Sequence, residues 1–314
     1  MLTWLRLILE QEYSKNCKQK INYRMHRNLI ILAGGASSRM KKQTSLQDLS
    51  DEEIEQANKR SKGLIGVGPN GRPLMDYLLY NAKLAGYKKI YIIISEQGEL
   101  FKKFYGDNDK DNDFHGLSIS FAIQYIPEGR VKPFGTADAL FQAVEQYPEL
   151  NKGYYTVCNS DNLYSSDALY ALRATSSQNA FISYDRDTME FSSERISRFA
   201  LAKLDETNHL LDIIEKPPQA EVNNYKDKEG KLRVSMNAFK FSGTTIYPYL
   251  KNCPVHPERN EKELPTVLLN MLKEHPKEAI GIPFSEHVPD LTAKDDIVAV
   301  KKYLSKHYSK LSWD

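Results

Sequence analysis

The sequence predicts an α/β fold, with a mixed but mainly parallel sheet flanked by helices. From Asn28 onward, short apolar runs alternate with segments of helical periodicity, which is the pattern of strands joined by crossover helices. Polar residues follow several of these runs, as expected where the carboxyl ends of parallel strands share one edge. Hydrophobic residues are 41% and charged residues 27% of the 314 residues, which is typical of a globular chain and too apolar for a disordered one.

The first half of the chain predicts strands and helices in alternation. Short apolar runs such as KIYIIIS are typical of strands buried on both faces, whereas apolar residues three and four positions apart indicate helices packed on the sheet. Buried strands are predicted at 28–33, 89–95, 118–124 and 154–158, and helices at 47–62, 72–86 and 136–146. The helix at 47–62 is polar, which indicates an insertion.

Beyond residue 167 the pattern is looser. Further strands are predicted at 199–204, 210–215 and 234–241, and closing helices at 263–274 and 294–307. No internal repeat occurs, and in particular no left-handed β-helix repeat, so a second domain of that kind is not expected. We therefore expect one domain over residues 27–314, whose second half is a smaller β-rich extension.

Residues 1–26 stand apart from this pattern. The stretch 2–9 is apolar, but it is short, contains Arg6 and is followed by no small-residue cleavage site, so a signal peptide is not predicted. We expect either that Met25 is the natural start or that the first two dozen residues form a loosely attached extension.

The charge balance and the cysteines exclude several classes of protein. The chain has 43 Lys+Arg and 41 Asp+Glu, a net charge of +2, without the basic excess expected of a nucleic-acid-binding protein. It has no run of about 18 apolar residues, so no membrane partner is expected. Its three cysteines, Cys17, Cys158 and Cys253, are too far apart for a CxxC site, which favours a reducing, cytoplasmic setting. The sequence does not indicate an oligomeric state.

The loop after the first predicted strand is the strongest candidate site. Paired glycines let the backbone approach a ligand, and their N–H groups can point at an anion. The hydroxyls of Ser37 and Ser38 and the guanidinium of Arg39 add donors that suit a polyphosphate. The string lacks the Lys-Ser/Thr of a Walker loop and the third glycine of GxGxxG. The nucleotide-binding candidates here are Leu32, Ala33, Gly34, Gly35, Ala36, Ser37 and Ser38.

The string LAGGASSRM resembles the signature loop of the sugar-1-phosphate nucleotidyltransferases, the enzymes that make nucleotide-sugars. In that family a lysine, an apolar stretch and a Gly-Arg/Lys-Pro-Leu helix start follow the loop, and here Lys62 and GRPL at 71–74 are similar. In many relatives the lysine follows the arginine closely, whereas Lys62 lies 62 − 39 = 23 positions after Arg39. The resemblance therefore implies an insertion at 41–61, and we expect Lys62, rather than Lys41 or Lys42, to contact phosphate.

Gln124 and the string KPFGTA at 132–137 are similar to the family's base-recognition region. An amide side chain can read both a donor and an acceptor on a base edge, so Gln124 is a candidate base contact. We expect Gly135 to allow close approach of the base and Thr136 to cap the following helix. The alternative is that Gln124 is simply a polar residue at a strand end.

Two carboxylates resemble the metal ligands of the family. Asp161 follows a buried strand in NSDN, as the family's acidic metal motif does, and EHVPDLT at 286–292 resembles the late segment that supplies the second ligand, here Asp290. Two hard carboxylates together with phosphate oxygens suit Mg²⁺. The alternative for Asp161 is a helix cap near Ser165.

Two further strings resemble the family's sugar pocket. In EKP, the resemblance implies that Glu215 accepts from sugar hydroxyls and that Lys216 pairs with the sugar phosphate. In VSMN, which resembles a strand of the pocket, Asn237 is expected to face the sugar. EKP alone commonly closes an exposed strand, but here it occurs in the family's order of motifs.

The resemblance covers residues 28–300 and implies a Rossmann-like fold with a sugar-binding extension. It implies Mg²⁺-assisted in-line attack of a sugar 1-phosphate on the α-phosphorus of a nucleoside triphosphate, with Arg39 and Lys62 as catalytic residues. UTP or dTTP with a hexose 1-phosphate such as glucose 1-phosphate is the predicted pair. The alternatives are a guanylyl- or cytidylyltransferase of the same fold, or a non-catalytic nucleotide- or sugar-binding regulator. A nicotinamide oxidoreductase is disfavoured, because GxGxxG is missing and Ser95 stands where an acidic residue is needed.

Overall fold

The computed structural model describes residues 25–42, 49–197, 199–214, 217–218 and 220–313. Within these ranges one mixed sheet is flanked by helices on both faces. The strands are β1 Asn28–Leu32, β2 Lys89–Ser95, β3 Asn112–Phe114, β4 Leu117–Gln124, β5 Tyr154–Asn159, β6 Asn179–Asp185, β7 Leu201–Leu204, β8 Leu210–Ile214, β9 Arg233–Val234, β10 Phe239–Ser242 and β11 Ala279–Phe284. The α-helices are α1 Ser38–Lys42, α2 Asp51–Lys59, α3 Leu74–Leu84, α4 Glu99–Tyr105, α5 Thr136–Gln146, α6 Ser166–Ala174, α7 Ser193–Ile196, α8 Gly243–Lys251, α9 Leu264–Glu274 and α10 Asp296–His307.

The centre of the sheet is parallel and buried on both faces. Strands β4, β2, β1 and β5 lie side by side in parallel. Leu29 and Ile31 of β1 pack into one apolar core with α3, α6 and α10, whereas Ile30 packs into the other with α5, α8 and α9. Alternate side chains of a strand point to opposite faces, so the run NLIIL supplies both cores. Among the helices in the part of the chain described, none combines the length and the apolar character needed to cross a bilayer.

The strand order brings distant parts of the chain to one edge. The sheet runs β3-β4-β2-β1-β5-β10-β6-β9-β7-β8, with β11 beside β6. Strand β10 is antiparallel to both β5 and β6, so these two point the same way, and β11 is parallel to β6. The carboxyl ends of β1, β5, β6 and β11 therefore lie at the same edge, the edge at which open α/β sheets commonly bind ligands.

The predicted fold class is confirmed. Strand β2 and helix α5 have the predicted bounds, and the other predicted elements of the first half differ from the observed ones by a few residues at their ends. The predicted strand at 234–241 is wrong, because β9 ends at Val234 and a turn precedes β10. In that turn Met236 and Asn237 have φ angles of 45° and 56°, a left-handed conformation that interrupts a strand.

The predicted insertion carries a helix that is fastened to the body of the protein. Ser50 and Glu53 form a capping box at the start of α2, and Lys301 of α10 lies 2.5 Å from Glu53. The buried Gln56 side chain accepts a hydrogen bond of 2.8 Å from the Gly66 N–H. The predicted helix at 47–62 is shorter in the structure, and its residues 47–48 lie outside the described ranges. The N-terminal extension also lies outside them, except for Met25 and His26.

Candidate active site

A cleft opens where the strand order changes direction. From β1 the chain continues to β2 and β4 on one side, whereas β5 lies on the other side of β1, and ligands of open α/β sheets bind at such a point. The cleft has a volume of about 420 Å³. The predicted site residues that line it are Leu32, Ala33, Gly34, Gly35, Ala36, Ser37, Ser38, Arg39, Lys62, Gln124, Gly135, Thr136 and Asp161.

The loop after β1 lines the cleft. Ala33 still donates to Ile93 of β2, and Ser37, with φ 53°, turns the chain into α1. Met40 is fully buried and fixes this short helix to the core, so its neighbour Arg39 is exposed at the cleft. A Cβ at Gly34 would lie 3.1 Å from Gln124 Oε1, so a glycine allows the loop to pass close to that side chain.

Gln124 is held in one orientation at the end of β4. Its amide nitrogen donates to Gly135 O and to Asp138 Oδ2, both at 3.2 Å. Both partners are acceptors, so the NH₂ group must face them, and Oε1 faces the loop at Gly34. Gln124 is 3% exposed, so its position is set by the protein. It therefore offers a ligand an acceptor, rather than both a donor and an acceptor.

The segment 134–137 is shaped by a contact within the protein. Gly135 has φ 101°, and a Cβ there would lie 2.2 Å from the Lys262 carbonyl oxygen, which explains the glycine without a ligand. The prediction that Thr136 caps α5 is wrong. Gly135 is the N-cap, and the Thr136 hydroxyl instead accepts from Leu264 N–H at 3.1 Å, because the start of α9 packs against this turn.

Lys62 and Asp161 meet at the wall of the cleft. Lys62 Nζ lies 2.7 Å from Asp161 Oδ2, and the two side chains are 15% and 20% exposed. Gly63 allows this approach, because a Cβ there would lie 2.9 Å from Ser160 O. Lys41 and Lys42 are exposed and do not line the cleft. The structure thus brings Lys62, and neither of the two nearer lysines, to the acidic loop after β5.

Asp290 lies next to the Asp161 segment but does not itself line the cleft. Leu291 N–H donates to Asp161 O at 2.9 Å, and Asn162 and Asp290 form an isolated β-bridge. Arg195 lies 2.5 Å from Asp290 Oδ2, and the Thr292 hydroxyl donates to the same oxygen at 2.8 Å. Burial and the nearby charge of Asp161 raise the pKa of Asp290 above its ordinary value.

The two carboxylates fit a hard divalent cation. Each uses Oδ2 for its cationic partner, and neither Oδ1 atom forms a hydrogen bond with the described residues. Among those residues, no group of three or more His, Cys, Asp or Glu side chains could hold a metal by itself. A site of two carboxylates completed by phosphate oxygens and water is what Mg²⁺ prefers.

The region predicted to bind the sugar is described only in part. Glu215 and Lys216 lie outside the described residues. Asn237 does not line the cleft. Its turn is linked to the cleft residue Asn159 through Tyr164, whose hydroxyl donates to Met236 O at 2.7 Å and accepts from Asn159 N–H at 3.3 Å. Ser165 caps α6 by accepting from Ala168 N–H, so the alternative role of Asp161 as that cap is not observed.

Several residues at the site were not found from the sequence. Arg195 bridges Asp290 and Asp296, but its position on a four-residue helix gives no signal of that role. Lys132 stands inside the string KPFGTA and lines the cleft, so it could have been noticed as a further cation of the candidate site. The remaining lining residues missed are Pro133, Ala139, Asn159, Ser160 and Glu261.

Comparison with known proteins places this arrangement in a family. The family model described as nucleotidyl transferase matches residues 28–280. The glucose-1-phosphate adenylyltransferase small subunit, chloroplastic/amyloplastic, of Triticum aestivum is 28% identical over 192 residues, covering 60% of this chain and 37% of that protein. The glucose-1-phosphate adenylyltransferase of Geobacillus stearothermophilus is 22% identical over 264 residues, covering 83% of this chain and 62% of that protein.

The chain thus spans 37% and 62% of the lengths of these two relatives. The family match itself covers well over half of this chain, from the first residue of β1 to the second of β11. It includes the glycine loop after β1, Lys62 and Asp161, and it confirms the resemblance seen in the motifs. The chain belongs to the nucleotidyl transferase family.

Proposed function

We propose that this protein is a sugar-1-phosphate nucleotidyltransferase, which converts a nucleoside triphosphate and a sugar 1-phosphate into a nucleotide-sugar and pyrophosphate. One observation supports this most strongly. A single cleft at the ends of β1 and β5 joins a glycine loop with an arginine, a lysine from a later segment, and an aspartate. These are the groups that a polyphosphate substrate needs, and the family match covers all of them.

The proposed reaction is a single in-line displacement. A phosphate oxygen of the sugar 1-phosphate forms a bond to the α-phosphorus, and the bond from that phosphorus to the bridging oxygen of the β-phosphate breaks. Pyrophosphate leaves with the electron pair. A phosphate monoester dianion is already nucleophilic, so the site needs to position and neutralise charge rather than remove a proton.

The cationic side chains would each contact a different phosphate group. Arg39, the backbone of 34–38 and the hydroxyls of Ser37 and Ser38 would hold the β- and γ-phosphates, where negative charge grows as the leaving group departs. Lys62 would contact the α-phosphate, since its ammonium lies at the wall next to Asp161. Lys216 would hold the attacking phosphate, Glu215 would accept from sugar hydroxyls, and Asn237 would face the sugar. These three roles rest on the sequence resemblance.

Asp161 and Asp290 would hold Mg²⁺, which when bound would neutralise charge on the α-phosphate. The carboxylates themselves are positioned by the protein. Lys62 fixes one, and Arg195 with Thr292 fixes the other. Each cationic partner also reduces the repulsion between the two acids, which lie on adjoining segments.

Gln124 would contact the base of the triphosphate. Gln124 offers Oε1 as an acceptor, which fits the N3–H of uracil or thymine and equally the amino group of adenine. The predicted UTP or dTTP preference is in tension with the relatives, whose names specify adenylyl transfer to glucose 1-phosphate. We therefore propose a nucleoside triphosphate and a hexose 1-phosphate as substrates, in a cytoplasmic setting in which the buried Cys158 and Cys253 stay as free thiols.

A pyrophosphate-release assay tests the proposal. The purified chain is incubated with Mg²⁺, each of ATP, UTP, dTTP, GTP and CTP, and each of several sugar 1-phosphates including glucose 1-phosphate. We expect release that requires both substrates and the metal, with one triphosphate preferred. Triphosphate binding without release in every combination would instead favour a non-catalytic regulator.

A further inference from the structure

One short segment connects the two sides of the cleft. Residues 290–296, called here the 290–296 turn, begin at Asp290, which adjoins Asp161. Four residues later, the Lys294 ammonium donates to Met40 O at 2.8 Å and to Lys41 O at 3.4 Å. The segment therefore contacts the acidic loop after β5 at one end and the last residues of α1 at the other.

The 290–296 turn is held rigidly by its own contacts. Asp296 Oδ2 accepts from the N–H groups of Thr292 and Ala293 at 2.8 and 2.7 Å, and the Thr292 hydroxyl donates to Asp290. Arg195 spans the turn, with one nitrogen 2.5 Å from Asp290 and the other 2.6 Å from Asp296. These contacts hold the two ends of the turn at a fixed distance from each other.

Helix α1 depends on contacts with other elements. It has five residues, too few to be stable alone, and the last carbonyls of a helix have no partner inside it. Met40 is fully buried on one side, and the Lys294 side chain, 5% exposed, meets the carbonyls at the end. A cation at the carboxyl end of a helix also interacts favourably with its dipole.

Arg39 has no such support of its own. Within the described ranges it forms no hydrogen bond or ion pair, and it is exposed at the cleft. Its position is therefore set by the backbone of α1, and that backbone is fastened by Met40 and Lys294. Loss of the Lys294 contact would remove the partner of the carbonyl groups at the end of this helix.

We propose that Lys294 is a positioning residue. By holding the carboxyl end of α1, it keeps Arg39 at a fixed distance from the Asp161–Asp290 pair. Arg39 and the two carboxylates can then contact the same triphosphate. The proposal rests on the proposed function for the role of Arg39. The contact itself joins residues 254 positions apart and does not depend on that function.

Hydrogen exchange tests the contact without any turnover. In Lys294→Met, which keeps the length of the chain and removes the charge, we expect the amides of peptide 34–42 to exchange at least about fivefold faster, as local opening becomes easier. The matched control is Lys302→Met, the same change on an exposed residue of α10. Equal exchange in both variants would overturn the proposal. If Lys294→Met does not fold, Lys294→Leu, which also lacks a donor, replaces it with the same expectation.

Kinetics test whether Lys294 acts through Arg39. We expect Lys294→Met to lower kcat/KM for the triphosphate about tenfold, the loss associated with one charged hydrogen bond, with the KM for sugar 1-phosphate changed less than about twofold. In an Arg39→Met background the same change should cost less than about twofold, because residues that act as a unit are not additive. Full additivity would show a general structural role and contradict the proposal.

The two hypotheses fail in different ways. If the wild-type chain releases no pyrophosphate with any substrate pair, the proposed function fails. Calorimetry with the Mg²⁺ complex of ATP or UTP then replaces the kinetics, and we expect Lys294→Met to weaken binding about tenfold. Unchanged binding together with unchanged exchange would overturn the role of Lys294 alone.

Discussion

Lys62 and Asp161 are neighbours in space although they stand 99 positions apart in the chain. Both are largely buried at the cleft wall, where a charge without a partner is costly. A substitution of either residue thus has two effects, since it removes a group that would contact substrate or metal and leaves the other charge unpaired. Variants at this pair should therefore be isosteric where possible.

The first prediction concerns Asp161→Asn, which keeps the shape of the side chain and removes its charge. We expect pyrophosphate release to fall by about 10²–10³-fold, the loss associated with one electrostatic contact to the transition state. Far-UV circular dichroism should stay unchanged, because Asp161 lies in a loop after β5. Normal release by this variant would remove Asp161 from the metal site.

The second prediction compares two lysines. Lys62→Met should lower kcat/KM by on the order of 10²-fold, whereas Lys41→Met should change it less than about threefold, since exposed charges away from a site contribute little. Lys41 serves as the matched control, because it is exposed and does not line the cleft. The reverse order of effects would move the phosphate contact into the insertion.

At the scale of elements, α2 shows how the insertion stays in place. Its capping box satisfies backbone donors at the start of the helix, and its Glu53 also pairs with α10. Arg60, just past the end of α2, donates to Leu64 O at 3.3 Å, next to the segment that carries Lys62. A loose α2 would therefore loosen one wall of the cleft.

The third prediction is that Ser50→Ala lowers the free energy of unfolding by about 1 kcal/mol, the usual cost of losing an N-cap. Urea unfolding measures it. Ser305→Ala, in the last turn of α10, is the control and should be neutral or slightly stabilising, because alanine has the higher helix propensity. Equal stability of the two variants would show that the cap contributes nothing.

Elements with a strong local pattern were predictable from the sequence, and those with conflicting local signals were not. KIYIIIS has no residue that interrupts a strand, so β2 was predicted with its observed bounds. Helix α8 contains Pro248, and β11 contains Gly281 and Pro283, residues that ordinarily end such elements. Strand β6 is fully buried although it begins with Asn179 and ends with an aspartate, so the sheet around it decides its structure.

The same distinction applies to the site. The place of residues 34–39 at the cleft was predictable, because their glycines, serines and arginine are consecutive and follow a buried strand. The contacts of Arg195 with Asp290 and of Lys294 with Met40 join residues 95 and 254 positions apart. No local pattern encodes such pairs, because the fold brings them together. The wrong prediction that Thr136 caps α5 has the same cause, because the Thr136 hydroxyl instead accepts a hydrogen bond from the first residue of α9.

At the scale of the whole molecule, a buried histidine links stability to pH. Burial, and after it the positive charges of Lys240 and Arg173, lower the pKa of His26 to about 3. The folded protein therefore keeps His26 neutral, whereas the unfolded chain takes up a proton below the ordinary value of 6.5. Between these two values the unfolded state binds more protons, so the stability falls as the pH falls.

The fourth prediction follows from this difference. On going from pH 6.5 to pH 5, His26 should lower the free energy of unfolding by about 2 kcal/mol, since each pH unit in the window is worth about 1.4 kcal/mol. His26→Phe keeps a ring next to Tyr87 and lacks the titration. Urea unfolding at both pH values should show a smaller loss for the variant. Parallel losses in the two proteins would contradict the prediction.

The position of β10 in the sheet also determines when the sheet can be completed during synthesis of the chain. Strands β1 to β6 are complete once residue 185 has left the ribosome, but β5 and β6 share no hydrogen bonds, because β10 lies between them. Strand β10 is made only at residues 239–242. Until then the growing chain exposes an open strand edge on β5, the kind of edge at which nascent chains aggregate or recruit chaperones.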